Sequence, residues 1–121
     1  MKKVLIVDDQ PFIRQIFKQL IEQIPELSGE EAENGNVALG KMRVMKPDLV
    51  LMDITMPGKD GLAVLQEMRA DPGLFEIPVI IISAHADQKQ HALDMGAKAF
   101  VNKVELNDID LAGLIKEKIG I

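Results

Sequence analysis

The sequence predicts an α/β fold built on a mainly parallel sheet. Short runs of apolar, mostly β-branched residues alternate with helical patterns along the whole chain of 121 residues, and this alternation is typical of successive βα units. The apolar runs 4–7, 49–52 and 79–82 are typical of strands that are buried on both faces. A chain of this length is expected to form one domain with a full hydrophobic core.

The first half of the chain predicts two strands and two helices. After the strand 4–7, a helix begins at Pro11, because proline favours the first helical turn, and apolar residues recur at spacings of three and four until Pro25. The segment 27–33 has poor β propensity, so we place it at a sheet edge with its glutamates in solvent. A turn then leads to a second helix over 36–45.

The second half predicts three more strands and three more helices. A helix after the third strand carries its apolar stripe on Leu62, Leu65 and Met68. Asn107 or Asp108 is expected to cap the last helix. The remaining predicted elements are the third strand 48–52, the fourth strand 78–83, the fourth helix 87–95 and the fifth strand 99–101.

Composition argues against several classes of function. The net charge is -5 and basic residues form no stripe, so we expect no direct contact with nucleic acid. There are no cysteines, which excludes thiolate metal sites. The apolar run after Lys3 is too short for a signal peptide, and no run approaches the length that spans a membrane. We therefore expect a cytoplasmic protein without membrane insertion.

Three aspartates directly follow predicted strands and carry the strongest chemical signal. Asp8 and Asp9 follow the first strand, and Asp53 follows the third. In open α/β sheets ligands bind outside the carboxyl ends of the strands, so these side chains are expected to converge. Two carboxylates about 4 Å apart repel by roughly 4 kcal/mol at an effective dielectric of about 20. A cluster of three therefore favours a bound divalent cation or shared protons.

The chain resembles the receiver domains of two-component response regulators over its whole length. The matching residues stand at successive strand ends: Asp8, Asp9, Asp53, Met56-Pro57 with Gly61, Ser83 and Lys103. Each match alone is weak, but together they are specific. The resemblance implies a flavodoxin-like, doubly wound sheet of five parallel strands in the order 2-1-3-4-5 with five helices. It also implies that residues 1–121 form a single receiver domain.

The resemblance assigns roles to the acidic residues. Asp53 is implied as the nucleophile that accepts a phosphoryl group. Mg²⁺ is implied as the cofactor, bound by Asp9, Asp53 and the backbone carbonyl of Thr55, with Asp8 acting mainly through water. Such a set suits magnesium, which takes one or two carboxylates and keeps several waters. A charge-dispersed phosphoryl transition state needs positioning and neutralisation more than covalent chemistry.

The resemblance also implies a switch. Lys103 and the Ser83 hydroxyl are expected to bind phosphoryl oxygens. Movement of Ser83 would let Phe100 turn inward and change the face formed by the fourth helix, fifth strand and fifth helix. Thr55 and His85 occupy the two positions that tune the lifetime of the phosphoryl group in the family.

One position departs from the family pattern. Proline usually follows the lysine, and the bond between them is commonly cis, but here Val104 follows Lys103. A cis bond before a residue other than proline costs about 2.5 to 4 kcal/mol. We therefore expect a trans bond and a loop that presents Lys103 differently.

The implied partners are a sensor histidine kinase or histidine phosphotransfer protein as donor and a downstream protein as target. The resemblance implies no enzyme activity beyond the domain's own phosphorylation and dephosphorylation. The chain ends after the last helix, which leaves open a stand-alone regulator that acts by contact, an intermediate of a phosphorelay and a receiver cut from a longer protein. A rival hypothesis is a Mg²⁺-dependent phosphatase, but Thr55 stands where a second acid-base aspartate is expected. A flavin-binding protein is disfavoured, because the loop 8–11 offers negative charge and no phosphate-binding glycines.

Overall fold

The computed structural model describes all residues 1–121 and contains one five-stranded sheet. Every neighbouring pair of strands is parallel, and the strand order is 2-1-3-4-5. The predicted fold class and strand order are therefore confirmed, with the poorly β-forming second strand at an edge. The strands are β1 (Lys2–Val7), β2 (Leu27–Ala32), β3 (Leu49–Met52), β4 (Val79–Ser83) and β5 (Ala99–Asn102).

The protein has five α-helices, as predicted: four connect successive strands, the fifth follows the last strand, and two short 3₁₀ segments accompany them. The helices are α1 (Pro11–Glu22), α2 (Gly35–Met45), α3 (Gly61–Ala70), α4 (Lys89–Asp94) and α5 (Leu111–Ile119). The 3₁₀ segments cover Ala86–Gln88 before α4 and Lys103–Asp108 before α5. None of the helices has both the length and the apolar character that crossing a membrane requires.

The 3₁₀ segments explain two differences from the predicted helix boundaries. The fourth helix begins later than predicted, because the residues before Lys89 form a 3₁₀ turn. The prediction that Asn107 or Asp108 caps the last helix is wrong. Both residues lie within the second 3₁₀ segment, and Asp110 caps α5 by accepting a hydrogen bond from the Gly113 amide at 2.9 Å.

Alternate strand residues enter two separate cores, one on each face of the sheet. Leu5 and Val50 pack on the face covered by α2, α3 and α4, whereas Ile6 and Leu51 pack on the face covered by α1 and α5. This alternation follows from the two-residue period of a strand. Because both faces are covered, polar side chains on the central strands have room only at the strand ends. The carboxyl ends of β1 and β3 meet there side by side.

Candidate functional site

Three carboxylates converge at the carboxyl end of the sheet. Asp8, Asp9 and Asp53 each offer an oxygen, and these oxygens all lie within 4.8 Å of one another. The Asp53 amide donates to the Val7 carbonyl at 3.0 Å, so the backbone that follows β3 is tied directly to β1. The predicted convergence of the three aspartates is therefore present in the fold.

The three carboxylates differ in their surroundings. Asp8 and Asp53 are 2% and 7% exposed, whereas Asp9 is open to solvent. The Gln10 amide donates to Asp8 Oδ1 at 2.9 Å. Burial raises the pKa of Asp8 and the nearby charge of Asp53 raises it further, and these effects outweigh the opposing effects of the Gln10 amide and Lys103. Ionisation of Asp8 is therefore less favourable in the folded protein than in an unfolded chain.

Lys103 is the one cationic side chain that forms ion pairs with the carboxylates of the cluster. Its Nζ lies 3.0 Å from Asp53 Oδ2 and 3.4 Å from Asp8 Oδ2. Burial alone lowers the pKa of Lys103, but the hydrogen bond and charge of Asp53, together with Asp8, outweigh burial and raise the pKa above 10.5. The bond to Val104 is trans, as expected from its sequence. Lys103 thus reaches Asp53 without the usual proline behind it.

An open cleft of about 200 Å³ gives access to these groups. Its lining residues are Asp9, Gln10, Asp53, Thr55, Ala84, His85 and Lys103. A larger groove of about 560 Å³ between α2 and β2 holds a single acidic residue, Glu30, and two lysines. Chemistry, and not size, therefore marks the smaller cleft as the candidate site.

The remaining site residues named from the sequence lie around the cleft at different depths. Thr55 and His85 are exposed on its wall. Ser83 is fully buried, its hydroxyl oxygen accepts the His85 amide at 3.0 Å, and it is not among the lining residues. Phe100 is half-buried and packs on the core that α2, α3 and α4 cover. In this conformation neither Ser83 nor Phe100 faces the cleft directly.

The carboxylate cluster suits a hard divalent cation. When ionised, three carboxylates and one ammonium leave two negative charges without a partner. Carboxylate and carbonyl oxygens are the ligands that Mg²⁺ prefers, and a cation of charge +2 would neutralise the site. Asp8 and Asp53 are buried next to each other, which raises the need for such a cation. The donor set therefore fits the magnesium that the resemblance implies.

Gly61, which the sequence identified only as part of the family motif, packs against the backbone of Asp53. A Cβ at Gly61 would overlap the Asp53 carbonyl oxygen, and the Gly61 amide donates to the Ile54 carbonyl at 2.8 Å. The start of α3 thus packs directly on the backbone of Asp53. Sequence reasoning also missed Gln10 and Ala84 as lining residues; adjacency to Asp9 and Ser83 was the available signal.

Comparison with known proteins decides the family. The family model described as the response regulator receiver domain matches residues 4–115. The chain belongs to this family. Receiver domains are signalling modules of two-component systems.

Two relatives and one solved structure show the range of proteins that this receiver resembles. It is 40% identical over 105 residues to the chemotaxis protein CheY of Thermotoga maritima, covering 84% of this chain and 85% of that protein. It is 38% identical to the gliding motility regulatory protein of Myxococcus xanthus, covering 86% of this chain and 14% of that protein. The response regulator TrrA from Thermotoga maritima, crystallised in complex with Mg(2+)-BeF, superposes with a TM-score of 0.86 at 32% identity, covering 98% and 99% of the two chains.

Proposed function

We propose that residues 1–121 act as one receiver domain that accepts a phosphoryl group on Asp53 from a histidine kinase or a histidine phosphotransfer protein. One observation carries the proposal. The Asp53 carboxylate lines an open cleft, 3.0 Å from the Lys103 ammonium and within 4.8 Å of two further carboxylates. The proposed nucleophile Asp53, the ammonium group of Lys103 and the proposed metal-binding pair Asp8 and Asp9 thus lie together at the carboxyl end of the sheet.

In the proposed reaction an Asp53 oxygen attacks the phosphorus of a phosphohistidine. A new P–O bond forms, the P–N bond breaks, and its electron pair returns to the imidazole nitrogen of the donor. The product is an acyl phosphate on Asp53. Because Lys103 Nζ lies 3.0 Å from Asp53 Oδ2, it can donate to a phosphoryl oxygen formed on that carboxylate. Lys103 therefore stabilises charge without taking a proton.

We propose that Asp8, Asp9, Asp53 and the backbone carbonyl of Thr55 hold Mg²⁺. When bound, this ion supplies a positive charge next to the phosphoryl oxygens. The burial of Asp8 and Asp53 close to Asp9 supports the assignment, because a single lysine contacts these carboxylates and cannot neutralise all three of them. Thr55 is exposed and lines the same cleft as Asp9 and Asp53, which supports its place in this set.

The proposed output is a change in the face formed by α4, β5 and α5. The Ser83 hydroxyl would rotate away from the His85 amide to donate to the phosphoryl group, and Phe100 would follow into the space released. Hydrolysis by water then restores Asp53 and ends the signal. Thr55 and His85 line the cleft where that water must enter, so we assign them to the lifetime of the phosphoryl group.

Signalling is favoured over a phosphatase that acts on free esters. Such an enzyme needs an acid-base group near the nucleophile to protonate the leaving alcohol. Thr55 stands two residues after Asp53, where the phosphatase hypothesis expects its acid-base aspartate, and its side chain has no titratable group. The site is therefore suited to one phosphoryl transfer per signal and not to turnover of esters.

Replacement of Asp53 with asparagine tests the proposal. We expect wild-type protein to incorporate phosphoryl groups from acetyl phosphate in the presence of Mg²⁺ and the Asp53→Asn variant to incorporate none, because an amide is not a nucleophile here. Intact-protein mass spectrometry measures the addition. Asp48→Asn is the matched control, since Asp48 is an exposed acid at the opposite end of β3. Labelling of the Asp53→Asn variant would contradict the proposal.

An apolar patch beside the cleft supports a protein donor. Phe12, Ile16 and Val104 are 71%, 45% and 77% exposed. A groove of about 530 Å³ runs between α1 and the segment that leads to α5, and Lys103 lines both this groove and the cleft. Ile16 lines this groove, Phe12 lies one helical turn before it on the same face of α1, and Val104 directly follows Lys103. Exposed apolar side chains close to one another are typical of protein interfaces. We assign this patch to the phosphohistidine protein, because a donor seated there reaches Asp53.

Phosphoryl donors of different size test that assignment. Phe12→Ala is expected to slow transfer from a phosphorylated histidine phosphotransfer protein by about 10-fold, since a buried aromatic anchor at an interface contributes about 1 to 2 kcal/mol or more. Its labelling by acetyl phosphate should be unchanged. Phe75→Ala is the control, because Phe75 is 48% exposed and precedes β4, at the opposite end of the sheet from the cleft. Equal losses with both donors would contradict a docking role for Phe12.

A further inference from the structure

Arg14 lies behind the acidic cluster in an unusual position for an arginine. Only 12% of its side chain is exposed, whereas arginines are mostly exposed. Its Nη1 donates to the Asp8 backbone carbonyl at 2.6 Å, and its Nε donates to Glu31 Oε1 at 3.0 Å. It forms no ion pair with the three aspartates of the cluster. Its link to the site therefore runs through the backbone of Asp8.

We propose that Arg14 is a positioning residue that holds the Asp8-Asp9 turn in the geometry that binds Mg²⁺, and that Glu31 orients its guanidinium. The inference rests on the proposed function, because it takes Asp8 and Asp9 as metal-binding residues. Arg14 itself touches neither the metal nor the phosphoryl group in this proposal.

The Asp8 backbone is held from two sides. Its amide donates to the Ala32 carbonyl of β2 at 3.2 Å, and its carbonyl accepts from Arg14. The first contact continues the sheet, whereas the second comes from a helix and acts on the peptide that joins Asp8 to Asp9. Repulsion among the carboxylates pushes this peptide away from Asp53 when no cation is bound. The Arg14 contact opposes that movement.

Glu31 is anchored well enough to orient the guanidinium. Lys41 Nζ donates to the Glu31 backbone carbonyl, and Lys18 Nζ lies 4.0 Å from Glu31 Oε2. Glu31 stands opposite Ile6 in the register of β1 and β2 and points toward α1, with 34% of its side chain exposed. Glu31 is thus partly exposed, as expected at a sheet edge, but its pairing with Arg14 was not predicted from the sequence. The guanidinium of Arg14 in α1 thus donates in two fixed directions, to Glu31 of β2 and to the Asp8 carbonyl after β1, and links these three elements.

Magnesium affinity of the purified, EDTA-treated protein tests the inference. Arg14→Met is expected to raise the dissociation constant for Mg²⁺ by about 10-fold, because residues that orient metal ligands typically contribute 10- to 100-fold to affinity. Isothermal titration calorimetry measures the constant. Arg43→Met is the matched control, since Arg43 pairs with Asp71 at 3.6 Å and lies outside the cleft. It should bind Mg²⁺ as wild type does.

Two further variants separate positioning from charge and from folding. Arg14→Lys keeps the positive charge but loses the two-armed geometry, so it should recover only part of the affinity. Full recovery by lysine would overturn positioning in favour of charge. Glu31→Ala leaves Arg14 in place without its orienting partner and should raise the dissociation constant by a smaller factor; this variant carries the test if Arg14→Met does not fold.

The outcomes distinguish this inference from the function on which it rests. A lower melting temperature of Arg14→Met with an unchanged dissociation constant would overturn the inference and leave a merely structural ion pair. A comparable loss of affinity in Arg43→Met would also overturn it. Failure of the wild-type protein to bind Mg²⁺ would instead overturn the proposed metal site itself.

Discussion

Two neighbouring regions of the sheet are similarly buried but affect stability in opposite ways. One is the interior of β1 and β3, and the other is the pair of aspartates, Asp8 and Asp53, that directly follow these strands. Leu51 in the interior is 1% exposed, and Asp8 at the rim is 2% exposed. Burying an aliphatic side chain stabilises the fold by about 1.5 to 3 kcal/mol. Burying a carboxylate next to another carboxylate costs free energy unless a cation compensates it. The interior of each strand thus stabilises the fold, whereas the buried aspartate that directly follows it destabilises the fold.

This difference teaches how the fold holds the site. The carboxylates stay together because the backbone beneath them is fixed by packing, and not because they attract one another. Gly61 packs on Asp53 from one side, and the sheet hydrogen bond to Val7 ties it from the other. Sites that need strained or charged arrangements commonly reduce stability in this way. Changes to the support and changes to the charges should therefore have opposite signs.

The largest effect is expected from the support. Gly61→Ala places a methyl group against the Asp53 carbonyl oxygen, which forces the backbone to shift. Overpacking of this kind costs about 1 to 3 kcal/mol. Urea denaturation measures the loss, and labelling by acetyl phosphate should also slow, because Asp53 is displaced from Lys103. Both readouts are expected to fall together.

Gly40→Ala is the matched control for that variant. Gly40 also lies in a helix, α2, but a Cβ there would meet nothing within 4 Å. Alanine in a helix interior is more stable than glycine by about 0.5 to 1 kcal/mol, so this variant should gain stability without any change in labelling. If Gly61→Ala gained stability and kept normal labelling, as expected for Gly40→Ala, close packing of Gly61 against the Asp53 backbone would not be what holds the carboxylates in place.

A smaller effect of opposite sign is expected from the charges. Without Mg²⁺ at neutral pH, Asp8→Asn should raise the free energy of unfolding by about 1 kcal/mol, within the range typical of charge optimisation. It removes a buried negative charge beside Asp53. Asp48→Asn removes an exposed charge at the other end of the sheet and should bring no such gain. Added Mg²⁺ should stabilise the wild type more than Asp8→Asn.

The gain from Asp8→Asn should depend on pH. The pKa of Asp8 is raised above 3.8 in the folded protein, so the folded state holds this proton more tightly than the unfolded chain does. Its contribution to stability is therefore fully present below pH 3.8 and is lost as the pH rises through the raised value. The two proteins should differ least in acid and most at neutral pH. Denaturation at several pH values measures the difference, and a gap that widens in acid would contradict it.

The parts of the fold that the sequence predicts well share one property: their pattern is local. The runs that end at Val7 and Met52 are continuous and apolar, so strand position and the aspartate that follows could both be read directly. The 3₁₀ segment Lys103–Asp108 lacks a clear period, and the cap of α5 was misplaced for that reason. The pairing of Glu31 with Arg14 was not predicted, because Arg14 belongs to another element and is separated from Glu31 by 17 residues.

The sequence by itself determined which residues follow the strands and that their carboxylates meet, because parallel strands of one sheet end at one edge. Only the tertiary structure decided which of the carboxylates are buried. It also decided that Lys103 contacts Asp53 without a proline after it, and that Arg14 donates a hydrogen bond to the Asp8 backbone carbonyl. Burial and hydrogen bonding depend on groups brought together from distant parts of the chain. Local patterns carry no information about such distances.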